Sequence, residues 1–361
     1  MSFLKKLFGG KKAPQPIETP TAFWNWFLQQ EPGFYTAIKS QDKAAEKLQQ
    51  IIDQLQQLNP ELYGLVGMYD DNTAELIITP DGDIKNIAFA EDIVTAAPAI
   101  KGWRITALKP ETGFGKSTIR MNGYDFNSEK IKFFAITDPG KPDEIEIHIV
   151  HEDYAADRHD IIGNGSLIYL DNAVGEIMMA TQIDDIYFDP PGVNEELIPI
   201  EKLKDYLIWR EKEFIEKYDG VRYDTENDNY SGLEAKDEND LPMVAIVNQQ
   251  LLSWDAKASH PWMLAIDIAY KGNETGMPDE TTYALMDKFE EALMEKLHDF
   301  DGYLNAGRQT YNNERTIFFA CKEFRECSRV TFDCIKAFQN QLSISYTIYK
   351  DKYWKTLDRF Q

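Results

Sequence analysis

The densest run of residues able to do chemistry is His148, His151, Glu152, Asp153, Asp157, His159 and Asp160. Imidazoles and carboxylates ligate zinc and other divalent metals, and the same groups supply the acid and base of a hydrolase. On a strand, however, His148 and His151 point to opposite faces because their separation is odd, and no helical HExxH register exists here. The run reads as a polar strand edge entering a loop. A hydrolase site within residues 148–160 is the alternative. The other histidines, His260 and His298, are isolated and lie next to element ends.

Two further stretches resemble ligand loops and fail on chemistry. Thr112-Gly113-Phe114-Gly115-Lys116-Ser117-Thr118 ends like a phosphate-binding loop, but its first glycine would fall at Pro110, which has no N–H, and two strand candidates flank it. It reads as a turn. Asp224, Glu226 and Asp228 echo a calcium loop, yet Asn229 stands where the sharp turn needs glycine and Ala235 where the closing carboxylate belongs. Cys321, Cys327 and Cys334 fit no CxxC pattern, all fall in one helical region, and read as small buried hydrophobes. No G-x-S-x-G elbow is present. These patterns assign no catalytic residue, no metal ligand and no cofactor.

The elements that must position any site lie in a chain of 361 residues, long enough for two domains. Its formal charge of −23 and pI near 4.6 argue against a nucleic-acid backbone as partner, which requires clustered Lys and Arg. The odd cysteine count fits a reducing compartment, and no run approaches a membrane span, so the expectation is a cytoplasmic protein without a transmembrane segment. Residues 1–21 read as a flexible basic leader. Phe3, Leu4, Leu7 and Phe8 among Lys5, Lys6, Lys11 and Lys12 offer the alternative of peripheral membrane contact through residues 1–12.

Residues 22–192 are expected to form an N-terminal α+β domain. It opens with an aromatic helix (Phe23, Trp24, Trp26, Phe27) up to Pro32-Gly33 and a second helix from Asp42 to Leu58. Strands follow over 63–69, 74–79, 103–108, 118–122, 130–137 and 144–151. A helix is expected over 84–97, another over 166–174, and a last strand over 184–188. Residues 193–241 read as a charged helix (200–218) and an acidic linker, with 219–240 a solvated loop.

Residues 242–361 close into a complete pattern. Trp262, Leu264, Ile266, Ile268 and Tyr270 alternate as a strand with one buried face. Behind an Asp279 cap, Leu285, Met286, Phe289, Leu293 and Leu297 form a helical stripe. Strands 303–309 and 315–320 are joined across Tyr311-Asn312-Asn313, where Asn tolerates positive φ. A helix carrying Phe324, Cys327, Thr331, Cys334 and Phe338 then leads to an alternating strand at Leu342, Ile344, Tyr346 and Ile348. The order βαββαβ predicts a ferredoxin-like module, a four-stranded antiparallel sheet with two helices on one face. The fold class is α+β.

Details of this module are familiar. His260-Pro261-Trp262, Gly276-Met277-Pro278, Gly307-Arg308, Arg315 through Phe319 and Lys352-Tyr353-Trp354 together resemble the bacterial domain of unknown function 695 family. Gly67-Met68-Tyr69-Asp70-Asp71-Asn72-Thr73-Ala74-Glu75-Leu76 resembles the segment that accompanies this module in longer bacterial relatives. The family has no established activity. The resemblance implies an architecture related to the small acidic regulator of ribonuclease E activity, which works by binding.

The expectation is a non-catalytic interaction or regulatory protein that binds a protein partner through its acidic α+β surface. Immunity against a basic toxin is a further alternative. The candidate binding residues are Arg308, Arg315 and Trp354: two cations against a negative background and one aromatic near the exposed end of the module.

Overall fold

The computed structural model describes residues 17–115 and 118–361. Most of the expected leader, and Lys116 and Ser117 of the glycine-rich turn, lie outside the described residues. The described residues divide into two compact units, residues 17–81 with 89–108, and residues 82–88 with 109–115 and 118–361.

The first unit begins with α1 (Pro20–Ser40), capped by Thr19, whose side chain accepts from the Ala22 N–H. The helix thus starts inside the expected leader and runs without interruption through Pro32. A proline inside a helix costs about 3 kcal/mol. Here Phe27 and Phe34, on either side of it, pack 5.3 Å apart in one buried aromatic group with Trp24, and this burial outweighs the local penalty. α2 (Ala44–Leu58) follows, burying Ile51 and Leu55. β1 (Tyr63–Met68) pairs antiparallel with β2 (Ala74–Thr79), and after α3 (Ile84–Thr95) the chain returns as β3 (Trp103–Ala107), parallel to β2.

The second unit opens with the ribbon β4 (Ile119–Met121) and β5 (Tyr124–Phe126), then β6 (Ile131–Ile136) and β7 (Glu146–His151). α4 runs from His159 to Val174, seven residues earlier than the sequence suggests, and α5 (Glu176–Gln182) adds a helix the sequence did not reveal. β8 (Asp185–Asp189) lies parallel to β7, and β9 (Ile198–Pro199) closes a sheet of order β8-β7-β6-β9. α6 (Leu203–Lys217) buries Leu203 and Leu207 in the same core as Phe126, Phe133, Ile147, Ile149 and Leu170. Gly165 lets α4 close on this core, since a Cβ there would meet the Phe126 ring at 2.1 Å.

The C-terminal sheet has six strands where four were expected. β10 (Tyr230–Lys236) and β11 (Pro242–Asn248) form a hairpin, so the solvated loop predicted over 219–240 contains a strand. Its mostly exposed side chains left no apolar signal, and the pairing with β11 supplies its order. After the short α7 (Gln249–Leu252) come β12 (Trp262–Ala269), α8 (Glu280–Met294), β13 (Tyr303–Tyr311), β14 (Glu314–Cys321), α9 (Arg325–Phe338) and β15 (Ser343–Lys350). The strand order is β10-β11-β13-β14-β12-β15, and every pairing is antiparallel. Asn312 and Asn313 turn the β13–β14 hairpin with φ of 47° and 70°.

One face of this sheet carries the helices: Arg315 of β14 bonds Asp287 of α8, and the Ser328 hydroxyl of α9 lies 3.0 Å from that of Tyr346 on β15. The alternation of β12 implied one buried face, but the other face is also buried. Met263, Ala265, Leu304, Phe318 and Ala320 form a second core there with Leu251, Leu252, Trp354, Leu357 and Phe360, because α7 and the 3₁₀ turn Lys355–Phe360 fold over it. Cys321 ends β14 and does not lie in a helix, while Cys327 and Cys334 share the buried side of α9.

Candidate functional site

The His148–Asp160 run does not converge. In β7, Ile147, Ile149 and His151 face the core, and His151 Nε2 lies 3.1 Å from the Asp125 carbonyl. His148 is on the opposite face, stacked between Phe134 and Tyr187 at 4.6 and 5.0 Å, with Asp189 and Glu146 at 2.5 and 2.8 Å from its two nitrogens. Burial opposes its charge, but those two carboxylates outweigh burial and raise its pKa. His159 bonds Tyr154. Among the described residues, no group of three or more His, Cys, Asp and Glu side chains is placed to hold a metal ion. The calcium-like residues serve local structure: Asp224 accepts from the Glu226 N–H, and Asp228 anchors Asn248 at 2.6 Å.

Arg308 and Arg315 come together, and Trp354 lies apart from them. A β-bulge between Asn305 and Gly307 puts Asn305 and Arg308 on the same face despite their odd separation, and both bond Glu290, at 2.8 and 2.6 Å. Only glycine fits at 307: φ is +138°, and a Cβ would lie 2.4 Å from the Ile246 carbonyl oxygen. Arg315 is fully buried beside Arg308, with Asp287 near both. Trp354, expected near an exposed end, is 1 % exposed in the opposite-face core and donates its indole N–H to the His260 carbonyl at 3.0 Å. The apolar cover that closes that face draws it inward.

A cavity of about 950 Å³ in the second unit was not anticipated from the sequence. α5, α6 and the β6–β7 loop form part of its wall, with Phe214 as the largest apolar group. Trp262, Phe324 and the end of β15 form the rest. At its floor Lys352 donates to Asp184 Oδ2 (2.7 Å) and to the Asp143 carbonyl, while Lys350 sits 3.0 Å from Asp184 Oδ1 as an ion pair without hydrogen-bond alignment. Burial, then the neighbouring Lys352 charge, push the Lys350 pKa down to about 8. Asp143 also takes bonds from Lys217, Tyr218 and Tyr353; burial raises its carboxyl, and these donors together hold it below the ordinary range. The sequence did hold a signal. The alternation Ile344, Tyr346, Ile348 continues in phase to Lys350 and Lys352, placing two amines on a buried face.

Such a floor, bordered by Phe214, Trp262 and Phe324 and also by charged groups such as Arg210, Glu213 and Lys322, suits an anionic group on a partly apolar ligand. The fold and cleft together define a mixed α+β protein with an antiparallel six-stranded sheet in its C-terminal region. Residues 235–360 match the model of DUF695, a family of unknown function. The match takes in β11 through β15 and both lysines of the cleft floor. No curated protein and no solved structure matches the chain.

Proposed function

We propose that this protein acts by binding another protein and not by making or breaking bonds, and that the cleft over Lys350 and Lys352 receives the partner. The observation that carries this reading is the floor itself: two ammonium groups share the single Asp184 carboxylate, in a cleft walled by Phe214, Trp262 and Phe324. Within this trio the amines outnumber the carboxylate, and an acidic side chain carried on a partly apolar segment would complement them. The net charge of −23 disfavours nucleic acid and anionic lipid, which leaves a polypeptide as the best occupant. α6, which lines the cleft, leaves Ile208, Trp209 and Ile215 exposed at 46, 52 and 59 %, three large apolar side chains of which Trp is a type enriched at interface hot spots.

We also infer that β13-β14-β12-β15 with α8 and α9 is a ferredoxin-like core, supported by its βαββαβ order, to which β11 and β10 are added. Three free, buried cysteines favour a cytoplasmic setting, which cell fractionation tests directly.

The binding reading is tested with a photo-crosslinking side chain at Ile215 in the full chain, with Ser345 as the control position. Capture of one defined protein from Ile215, and not from Ser345, is the expected result. Equal capture from both positions, or none above background at low and moderate salt, overturns it.

A further inference from the structure

β1 forms one edge of the β1-β2-β3 sheet, and its residues, Tyr63 to Met68, include no charge, no proline and no bulge against β2. Every other edge strand among the described residues carries a charged side chain or a proline: Arg104 in β3, Arg120 and Asp125 in the β4–β5 ribbon, Asp185 in β8, Pro199 in β9, Glu234 in β10 and Lys350 in β15. Such residues keep an edge from pairing with another chain, and an edge without them is open to it. Tyr63 and Leu65 are 44 and 43 % exposed. The direction of the free backbone groups follows from the β1–β2 hairpin, where the Tyr69 N–H donates to the Thr73 carbonyl at 2.8 Å. Hydrogen-bonded pairs alternate along an antiparallel ladder, so Tyr63, Leu65 and Gly67 turn their backbone groups to β2, and Gly64, Val66 and Met68 turn theirs outward. In agreement, the Ala74 N–H and the Ile78 carbonyl turn away from β1, to Gly102 and Leu108.

We propose that β1 pairs antiparallel with β1 of a second copy of this chain, about a two-fold axis at Val66, which joins the two sheets into one. Centring on Val66 uses all the outward-turned residues: Gly64 faces Met68 of the copy and Val66 faces Val66, each pair exchanging both N–H···O bonds. The side chains fit the same register. Leu65 falls opposite Gly67 of the copy. Met68 falls opposite Gly64, beside Leu48 and Ile52 of α2, which lie 3.5 and 3.7 Å from where a Gly64 Cβ would be. Gly67 has no positive φ and nothing within 4 Å of its Cβ position, so the single chain does not require glycine there; glycine inside a strand marks the close approach of another backbone. This register is self-complementary, which singles out a second copy over an unrelated strand. Charge selects the same place. Copies of net charge −23 repel wherever acidic faces meet, and β1 carries no charge. A single short strand from each copy makes a small interface, so the dimer is weak and concentration-dependent.

The test is sedimentation equilibrium of the full-length protein from low micromolar to submillimolar concentration. A monomer–dimer equilibrium is expected, and it tightens as added salt screens the repulsion between copies. Leu65→Lys and Val66→Pro are each expected to weaken it by about tenfold or more, the first by placing charge at the seam and the second by removing the N–H that each copy donates there. Both changes leave the β1–β2 ladder intact, because Leu65 is exposed and the Val66 N–H turns away from β2. Under mild oxidation Val66→Cys is expected to form a disulfide between copies, whereas Ser231→Cys on the β10 edge is not; the native cysteines are buried. A monomer at every concentration, association weakened by salt, association unchanged in either variant, no cross-link from Val66→Cys, or equal cross-linking from Ser231→Cys each overturns the proposal. The cleft over Lys350 and Lys352 belongs to the other unit, so the outcome is independent of the binding reading.

Discussion

Lys350 and Lys352 approach the two oxygens of one carboxylate: Asp184 Oδ1 lies 3.0 Å from Lys350 Nζ, and Oδ2 lies 2.7 Å from Lys352 Nζ. All three side chains are nearly buried, at 13, 6 and 10 % exposure, so water screens little of the interaction. Asp184 Oδ2 also accepts from the Ile145 N–H at 2.6 Å, which ties the carboxylate to the chain just before β7. The arrangement holds two cations with one anion, and its stability rests on that anion.

Replacing Asp184 with Asn removes the counter-charge and leaves both amines buried. Breaking a buried pair in this way costs about 3–5 kcal/mol. Urea denaturation of Asp184→Asn at neutral pH is expected to show a loss of that order. Adding Lys350→Met to the same chain recovers part of it, because one of the uncompensated charges is gone. A loss below 1 kcal/mol in the single variant would mean that solvent reaches the site.

The pH dependence of the same cluster has a definite sign. Lys350 is held at about 8 in the folded chain, below its ordinary value of 10.5, so between those limits the unfolded chain binds the extra proton. Stability from this group therefore rises with pH from about 8 to about 10.5, by roughly 3 kcal/mol in all. The measurement is the difference in unfolding free energy between wild type and Lys350→Met at pH 7.5, 9 and 10. The wild type is expected to gain on the variant across the series. A constant difference would show that Lys350 titrates normally.

Much of the C-terminal architecture was legible because its signals are local and periodic. The stripe Met286, Phe289, Leu293 and Leu297 and the paired asparagines 312 and 313 each dictate their element with no help from distant residues. The parts that were not legible depend on tertiary partners. β10 has almost no buried side chain and exists through its ladder with β11. Trp354 looked like an exposed aromatic near the chain end, and only the fold of residues 355–360 over the sheet makes it core. The cleft floor joins Lys350 and Lys352 to Asp184, which lies 168 residues before Lys352 along the chain. A lysine continuing an apolar alternation was the one trace of it, and that trace gives no partner.

Gly165 tests the packing of α4. Alanine is the better helix former by about 1 kcal/mol, so intrinsic preference alone predicts that Gly165→Ala stabilises. The added methyl would overlap the buried Phe126 ring, with contacts of 2.1 to 2.5 Å, which forces the helix or the ring to move. Overpacking of this kind costs about 1–3 kcal/mol, and the net effect expected in thermal or urea unfolding is destabilisation. Phe126→Leu in the Gly165→Ala background is expected to cost less than it does in wild type, since the smaller side chain relieves the clash. Strict additivity of the two changes would exclude direct contact.

His260 provides the acid-side counterpart. It is fully buried, with Ser259 at 2.8 Å from Nδ1 and the Trp254 ring 5.4 Å away. Burial, with the Lys322 and Arg222 charges adding to it, lowers its pKa to about 4. Between pH 6.5 and pH 4 the unfolded chain binds a proton that the folded chain refuses, so stability falls as pH is lowered through that window. The contribution is roughly 3 kcal/mol when complete. Comparing the pH dependence of unfolding for wild type and His260→Gln isolates it: the variant is expected to lose less stability than wild type between pH 6.5 and 4. An NMR titration that finds the His260 imidazole protonating near 6.5 in the folded protein would contradict the burial on which this prediction stands.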